Sequence, residues 1–123
     1  MIGYVTLGTN NIDKGADFYD ALLAELGGKR FMDEDGFIAW TAGPNSPGVS
    51  ITKPFDGKPA TVGNGVMVAL LASSQEQVNA IYNKAIELGG TDEGEPGPRG
   101  DSGFYAGYFR DLDGNKLNVF HMG

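Results

Sequence analysis

The chain contains no cysteine and a single histidine, His121. The first absence excludes disulfides, iron–sulfur clusters, cysteine-ligated zinc and thiol nucleophiles. The second excludes metal sites that draw two or three imidazoles from one chain, and it forces any serine triad to use His121. Positive charge is scarce too: nine Lys and Arg stand against 16 Asp and Glu, a net charge of −7. Phosphate backbones and anionic membrane surfaces should therefore repel the chain at long range. No apolar run approaches the roughly 18 residues of a membrane span, and the opening Met1-Ile2-Gly3-Tyr4 has no basic leader region. These shortages lead us to expect a cytoplasmic protein with no nucleic-acid and no membrane partner.

What is abundant is glycine. Its 20 occurrences in 123 residues, about 16%, exceed the usual share of about 7%. Glycine and the six prolines together still fall below the roughly 25 to 30% of a low-complexity chain. The glycines therefore read as turns in a single folded, strand-rich domain, since a chain of this length accommodates one conventional core.

Two amphipathic stripes mark helices. From Ile12 to Leu26, the residues Ala16, Tyr19, Leu23 and Leu26 recur at helical spacing with Leu22 beside them, while the charged residues fall mostly elsewhere. Asn10 or Asn11 is the candidate cap, because a short side-chain oxygen can accept a bond from an unpaired first-turn N–H. The second stripe is Val78, Ile81, Ala85 and Leu88 with Tyr82 beside it, and Ser73 to Glu76 has capping-box spacing. Both helices stop at glycine. Leu26-Gly27-Gly28 recurs 62 residues later as Leu88-Gly89-Gly90, and the same offset lays Tyr4-Val5-Thr6-Leu7 over Val66-Met67-Val68-Ala69.

Short strands follow each helix. Lys29 to Asp33, Phe37 to Thr41 and Val49 to Lys53 carry strand-like patterns in the first half, with turns at Asp35-Gly36 and at Gly43 to Gly48. The second half has a weak strand near Thr91, then Phe104 to Arg110 and Lys116 to His121. Asp111 to Asn115 lacks the glycine spacing and closing glutamate of a calcium loop and reads as a hairpin turn. Gly94 to Gly100 reads either as a mobile lip or as a plain connector. Each half is thus β-α-β-β-β, over 1–53 and 65–123, with 54–64 as connector.

The doubled layout, the opening Tyr4-Val5-Thr6-Leu7-Gly8, the Asp17-Phe18-Tyr19 of the first helix and the run Phe109-Arg110-Asp111-Leu112-Asp113-Gly114-Asn115-Lys116-Leu117 together resemble the vicinal oxygen chelate superfamily. That group includes glyoxalase I, extradiol dioxygenases, fosfomycin-resistance enzymes and bleomycin-binding proteins. The resemblance covers essentially the whole chain and implies an α+β fold of two βαβββ modules, forming curved sheets around a cavity. Leu112 stands where such proteins usually have proline. Metal-using members place a histidine early in the first strand, another in the strand opening the second half, and a glutamate in the last strand of each half. The matching positions here are Tyr4, Met67 or Val66, Ser50 or Thr52, and Asn118. Neutral oxygens and a soft thioether suit a divalent cation poorly. The expectation is therefore no metal and no cofactor.

Period-two alternation selects the cavity face. Tyr4 and Thr6 share one face of the first strand, Asn118 and Phe120 one face of the last, and Tyr108 lies on the same side as Arg110 and opposite Phe109. Adding Trp40, Thr52 and Met67 gives an aromatic, neutral-polar ligand-binding set of Tyr4, Thr6, Trp40, Thr52, Met67, Tyr108 and Asn118. Such a lining suits stacking and hydrogen bonding of a small organic molecule. His121 falls opposite Asn118 and reads as a surface or interface residue. The resemblance implies a homodimer and two functions: metal-free binding of a small organic molecule in the inter-module cavity, or a lyase or dioxygenase acting on vicinal-oxygen substrates. A partner-binding module is a third.

Overall fold

Asn11 starts the first helix. Its backbone is extended, and its side-chain oxygen accepts the Lys14 N–H at 3.0 Å, which satisfies one of the donors left open in a first turn. The cap of the second helix is Ser74, whose Oγ accepts from the Gln77 N–H at 3.1 Å, while Gln77 reaches back to the Ser73 N–H at 2.7 Å. The capping pair is thus Ser74 and Gln77, one residue later than the Ser73–Glu76 spacing suggests. The computed structural model describes residues 1–123. The elements are β1 (Tyr4–Gly8), α1 (Ile12–Ala24), β2 (Lys29–Glu34), β3 (Phe37–Thr41), β4 (Gly48–Thr52), β5 (Val68–Leu71), α2 (Gln75–Glu87), β6 (Thr91–Pro98), β7 (Phe104–Arg110) and β8 (Lys116–Met122).

The chain divides into two units, Met1–Val62 and Gly63–Gly123. Each is an α+β module with an open, mixed four-stranded sheet, ordered β1-β4-β3-β2 in the first and β5-β8-β7-β6 in the second. In both, the first strand pairs parallel to the last, and the three strands after the helix are antiparallel. The caps Asn11 and Ser74, and the buried Tyr19 and Tyr82, correspond at an offset one residue longer than the glycine pairs. The difference arises after α1, where Leu26 separates the helix-ending Glu25 from Gly27; after α2, Gly89 follows the helix-ending Leu88 directly.

The repeated glycines have two separate reasons. Gly27 and Gly89 adopt φ of 77° and 102°, a left-handed region that a Cβ disfavours. Gly28 and Gly90 sit against the helix end, where a Cβ would lie 2.9 Å from the Leu23 carbonyl oxygen and 2.7 Å from that of Ala85. One glycine turns the chain and the next lets it pass close to the helix.

Each helix covers one face of its own sheet. In the first unit Phe18, Tyr19 and Leu22 are buried with Leu7, Ile38, Trp40 and Ile51; in the second, Val78, Ile81 and Ala85 are buried with Leu70, Phe109, Leu117 and Val119. Burying one large apolar side chain is worth about 1.5–3 kcal/mol, so this packing fixes which face remains open. Register then assigns the rest. Tyr4, Thr6 and Gly8 align with Gly48, Ser50 and Thr52 on the open face of the first sheet. Ala69 and Leu71 align with Asn118 and Phe120 on that of the second.

β6 is longer than the sequence suggests. It runs through Gly94 to Pro98, so that part of the anticipated lip is an irregular edge strand with register shifts around Gly94. Proline is tolerated there because an edge strand leaves one row of its N–H groups unpaired. Asp111 to Asn115 is a hairpin turn held by Asp111, whose Oδ1 accepts the N–H groups of Asp113 and Asn115, each at 2.9 Å.

Candidate functional site

In the first unit the open face begins at Tyr4, whose side chain is exposed and packs edge-on to Phe37 at 6.3 Å between ring centroids. Thr6 lies beside the fully buried Ser50, whose hydroxyl is 2.8 Å from Thr6 Oγ1 and 3.0 Å from the Val5 carbonyl oxygen. Thr52 is on the same face, but its hydroxyl reaches the carbonyl oxygens of Lys53 at 2.9 Å and Gly36 at 3.2 Å. Gly48 leaves a slot here, since a Cβ at that position would meet the Phe31 ring at 3.2 Å and Tyr4 Cβ at 3.3 Å. Tyr4, Phe31, Thr41 and Pro44 line an adjoining pocket of about 480 Å³.

Trp40 is not part of this face. It pairs with Val49 and Arg30 on the helix side, is buried, and donates its indole N–H to Asp20 Oδ1 at 2.7 Å. The reason is parity: Phe37, Ala39 and Thr41 take the open face, which sends Ile38 and Trp40 under α1. Arg30 completes the cluster with two bonds to Asp20, at 2.7 and 2.9 Å, and one to Asp33 at 2.8 Å. The hydrogen bond from Arg30, followed by that from Trp40, holds the Asp20 carboxyl below its ordinary value against an opposing effect of burial. Arg30 is correspondingly raised by its two carboxylate partners. This network anchors β2 and β3 to α1.

In the second unit the open face centres on Asn118. It aligns with Ala69 on one side and Tyr108 on the other, and it is only 2% exposed. Its Oδ1 is buried and has no hydrogen-bond partner. A buried acceptor normally has a partner, and leaving one unpaired costs about 1–3 kcal/mol. Two residues along the strand, Phe120 stacks on Phe104 with ring centroids 5.4 Å apart. Two residues the other way, Lys116 places its Nζ 5.7 Å from the Tyr108 ring centroid, and Arg99 places its guanidinium carbon 5.4 Å from it. Met67 immediately precedes β5 and is exposed. His121 lies outside this face, with Nδ1 3.2 Å from the Ala72 carbonyl oxygen. On the helix side the buried Tyr82 hydroxyl bonds Asp92 at 2.5 Å; burial and then this bond push the phenol up to about 12, and the same bond lowers Asp92.

The Glyoxalase/Bleomycin resistance protein/Dioxygenase superfamily model matches residues 1–119. The chain belongs to this superfamily. A glyoxalase/bleomycin resistance protein from Albidiferax ferrireducens is similar at 35% identity and a TM-score of 0.91, over 100% of this chain and 99% of that one. A hypothetical protein from S. aureus is 26% identical with a TM-score of 0.75, covering 98% of this chain and 92% of its own. A lactoylglutathione lyase from Agrobacterium tumefaciens shares the fold at 18% identity and a TM-score of 0.70, covering 98% and 92%. No curated protein sequence matches the chain.

Superfamily membership raises the question of a divalent metal. In the first unit the positions offered by the resemblance are Tyr4 and Ser50 or Thr52, of which Ser50 occupies in β4 the register that Asn118 occupies in β8. In the second unit they are Asn118 and Met67 or Val66, of which Met67 lies at the cap-to-cap offset from Tyr4. None of these side chains is anionic or an imidazole, and no group of three or more His, Cys, Asp or Glu is placed to hold a metal ion. The donor set does not fit the oxygen- and nitrogen-rich shell that such ions take.

Of the residues expected from the sequence, Asn118 and Tyr108 are side by side in the register, and Tyr4, Thr6 and Thr52 share the first sheet's open face. Phe31, Lys116 and the Arg99 side chain were not among them. Phe31 falls at a β-bulge between Arg30 and Met32, which alternation along the strand does not show. The signal for Lys116 was available, because it lies two residues before Asn118 and therefore on the same face.

Proposed function

We propose that this member of the superfamily binds a small organic molecule without a metal, on the open face of the second sheet, with Asn118 and Tyr108 as its polar contacts. The observation that carries the reading is the buried, unpartnered Asn118 Oδ1. An acceptor kept out of water at a cost gains a partner if a ligand hydroxyl or N–H displaces the side chains that cover it. The stacked Phe104 and Phe120 beside it offer an apolar surface for the rest of the ligand. The neutral residues at the metal-matched positions support the metal-free part of the reading. Homodimer formation is proposed as well, from the superfamily resemblance, and sedimentation at several concentrations tests it.

The experiment is a binding screen of small aromatic and amphipathic molecules against protein purified without chelator, accompanied by metal analysis. Saturable binding weakened by Asn118→Ala, in protein with substoichiometric metal, is the expected result. Stoichiometric nickel, zinc, iron or manganese, lost in Tyr4→Phe or Asn118→Ala, would overturn it. Turnover of a hemithioacetal or a catechol that disappears in Asn118→Ala would replace it with the lyase or dioxygenase reading. No helix is long and apolar enough to cross a membrane.

A further inference from the structure

We propose that the molecule bound at Asn118 is an organic acid whose anionic group pairs with Lys116, an inference that rests on the metal-free binding reading above. Neither Lys116 nor Arg99 belongs to an ion pair, unlike Arg30, Lys84 and Arg110. Arg110, the other cation beside Tyr108 on this face, is neutralised by Glu93 at 3.1 Å. Arg99 is instead held by backbone: its two terminal nitrogens donate to the carbonyl oxygens of Gly97 at 2.8 Å and Glu95 at 2.7 Å. Carbonyl oxygens position a guanidinium without cancelling its charge, and they leave it further N–H donors.

Both cations lie within 6 Å of the Tyr108 ring centroid, in a chain of net charge −7. Lys116 approaches the ring from β8 and Arg99 from the β6 side, and the nearby Glu93 carboxylate is taken by Arg110, which aligns with Lys116. Lys116 and Asn118 alternate onto the same face, about 7 Å apart along the strand. The unpaired acceptor and the Lys116 ammonium thus belong to one face. The complementary molecule carries a carboxylate or phosphate for Lys116, a hydroxyl or amino donor close to it for Asn118, and an apolar body for the Phe104–Phe120 pair. Charge-assisted bonds to carboxylate or phosphate are the strong ones among protein hydrogen bonds, so the anionic group should dominate selectivity.

Calorimetric titration with three probes tests this: phenyl-lactate, its neutral amide, and phenyl phosphate. Phenyl-lactate should bind at least about tenfold tighter than the amide, with a preference that weakens as salt is added. Lys116→Met should reduce that preference to about threefold or less, and Lys116→Arg should restore it. Phenyl phosphate binding tighter than phenyl-lactate supports the proposal with phosphate as the anionic group. An amide that binds as tightly as the acid, with both weakened in Asn118→Ala, overturns the anionic assignment and leaves the binding reading standing. Failure of all three probes to bind overturns both.

Discussion

Replacing Asn118 with leucine should stabilise the free protein while removing its ligand binding. The Asn118 side chain is 2% exposed and its Oδ1 is unpartnered, a situation that costs about 1–3 kcal/mol. Leucine is similar in size and carries no polar atom, so the variant should gain about 1–2 kcal/mol once some repacking loss is allowed. Unfolding entropy of about 2.1 cal/mol/K per residue, applied to a chain of this length, turns each kcal/mol into about 4 °C, so Tm should rise by about 4–8 °C. Urea denaturation at fixed protein concentration, followed by circular dichroism, reads the same quantity as a higher midpoint with an unchanged slope. A variant less stable than wild type by about 1 kcal/mol or more would refute the reasoning. It would mean that the amide makes a stabilising interaction in the free protein and is not held ready for a ligand.

Asp20 is depressed by its bond from Arg30, so its contribution is present above its unfolded value of about 3.9 and is lost as pH falls through the lower folded value. Asp20→Asn should flatten the acid side of the stability profile, monitored by the fluorescence of Trp40, the single tryptophan; an unchanged profile would contradict this. Tyr82 is raised to about 12, so its contribution is complete below its ordinary value of about 10 and is lost as pH rises toward the folded one. Alkaline denaturation should accordingly lose steepness in Tyr82→Phe. A Cβ at Gly90 would stand 2.7 Å from the Ala85 carbonyl oxygen and 2.8 Å from that of Arg110. Thermal melting of Gly90→Ala should show a loss of about 1–3 kcal/mol, and an unperturbed melt would contradict the close-approach explanation.

The sequence makes the repeated strand-and-helix plan visible because helix stripes, caps and glycine stops are local signals. Leu117-Asn118-Val119 likewise shows by alternation alone that a polar side chain faces away from two core residues. Trp40 was harder to place. Its strand, Phe37-Ile38-Ala39-Trp40-Thr41, carries apolar residues on both faces, and its deciding partners, Asp20 and Arg30, come from α1 and β2. β6 was hidden for a different reason: its glycines and prolines read as a loop, and only pairing with the regular β7 makes it a strand. Lys116 acquires meaning only when the fold brings its ammonium to Tyr108 and the ion pairs pass it by. Such a charge imbalance is a property of tertiary placement, which no local pattern encodes.

The central claim is metal-independent ligand binding through Asn118. Its most direct test is calorimetric titration of phenyl-lactate into wild-type protein with and without a strong chelator, and into Asn118→Ala. One Kd is expected in both wild-type titrations and at least about tenfold weaker binding in the variant, the loss of one buried hydrogen bond near a charge. Binding abolished by the chelator, or unchanged in Asn118→Ala, would contradict it.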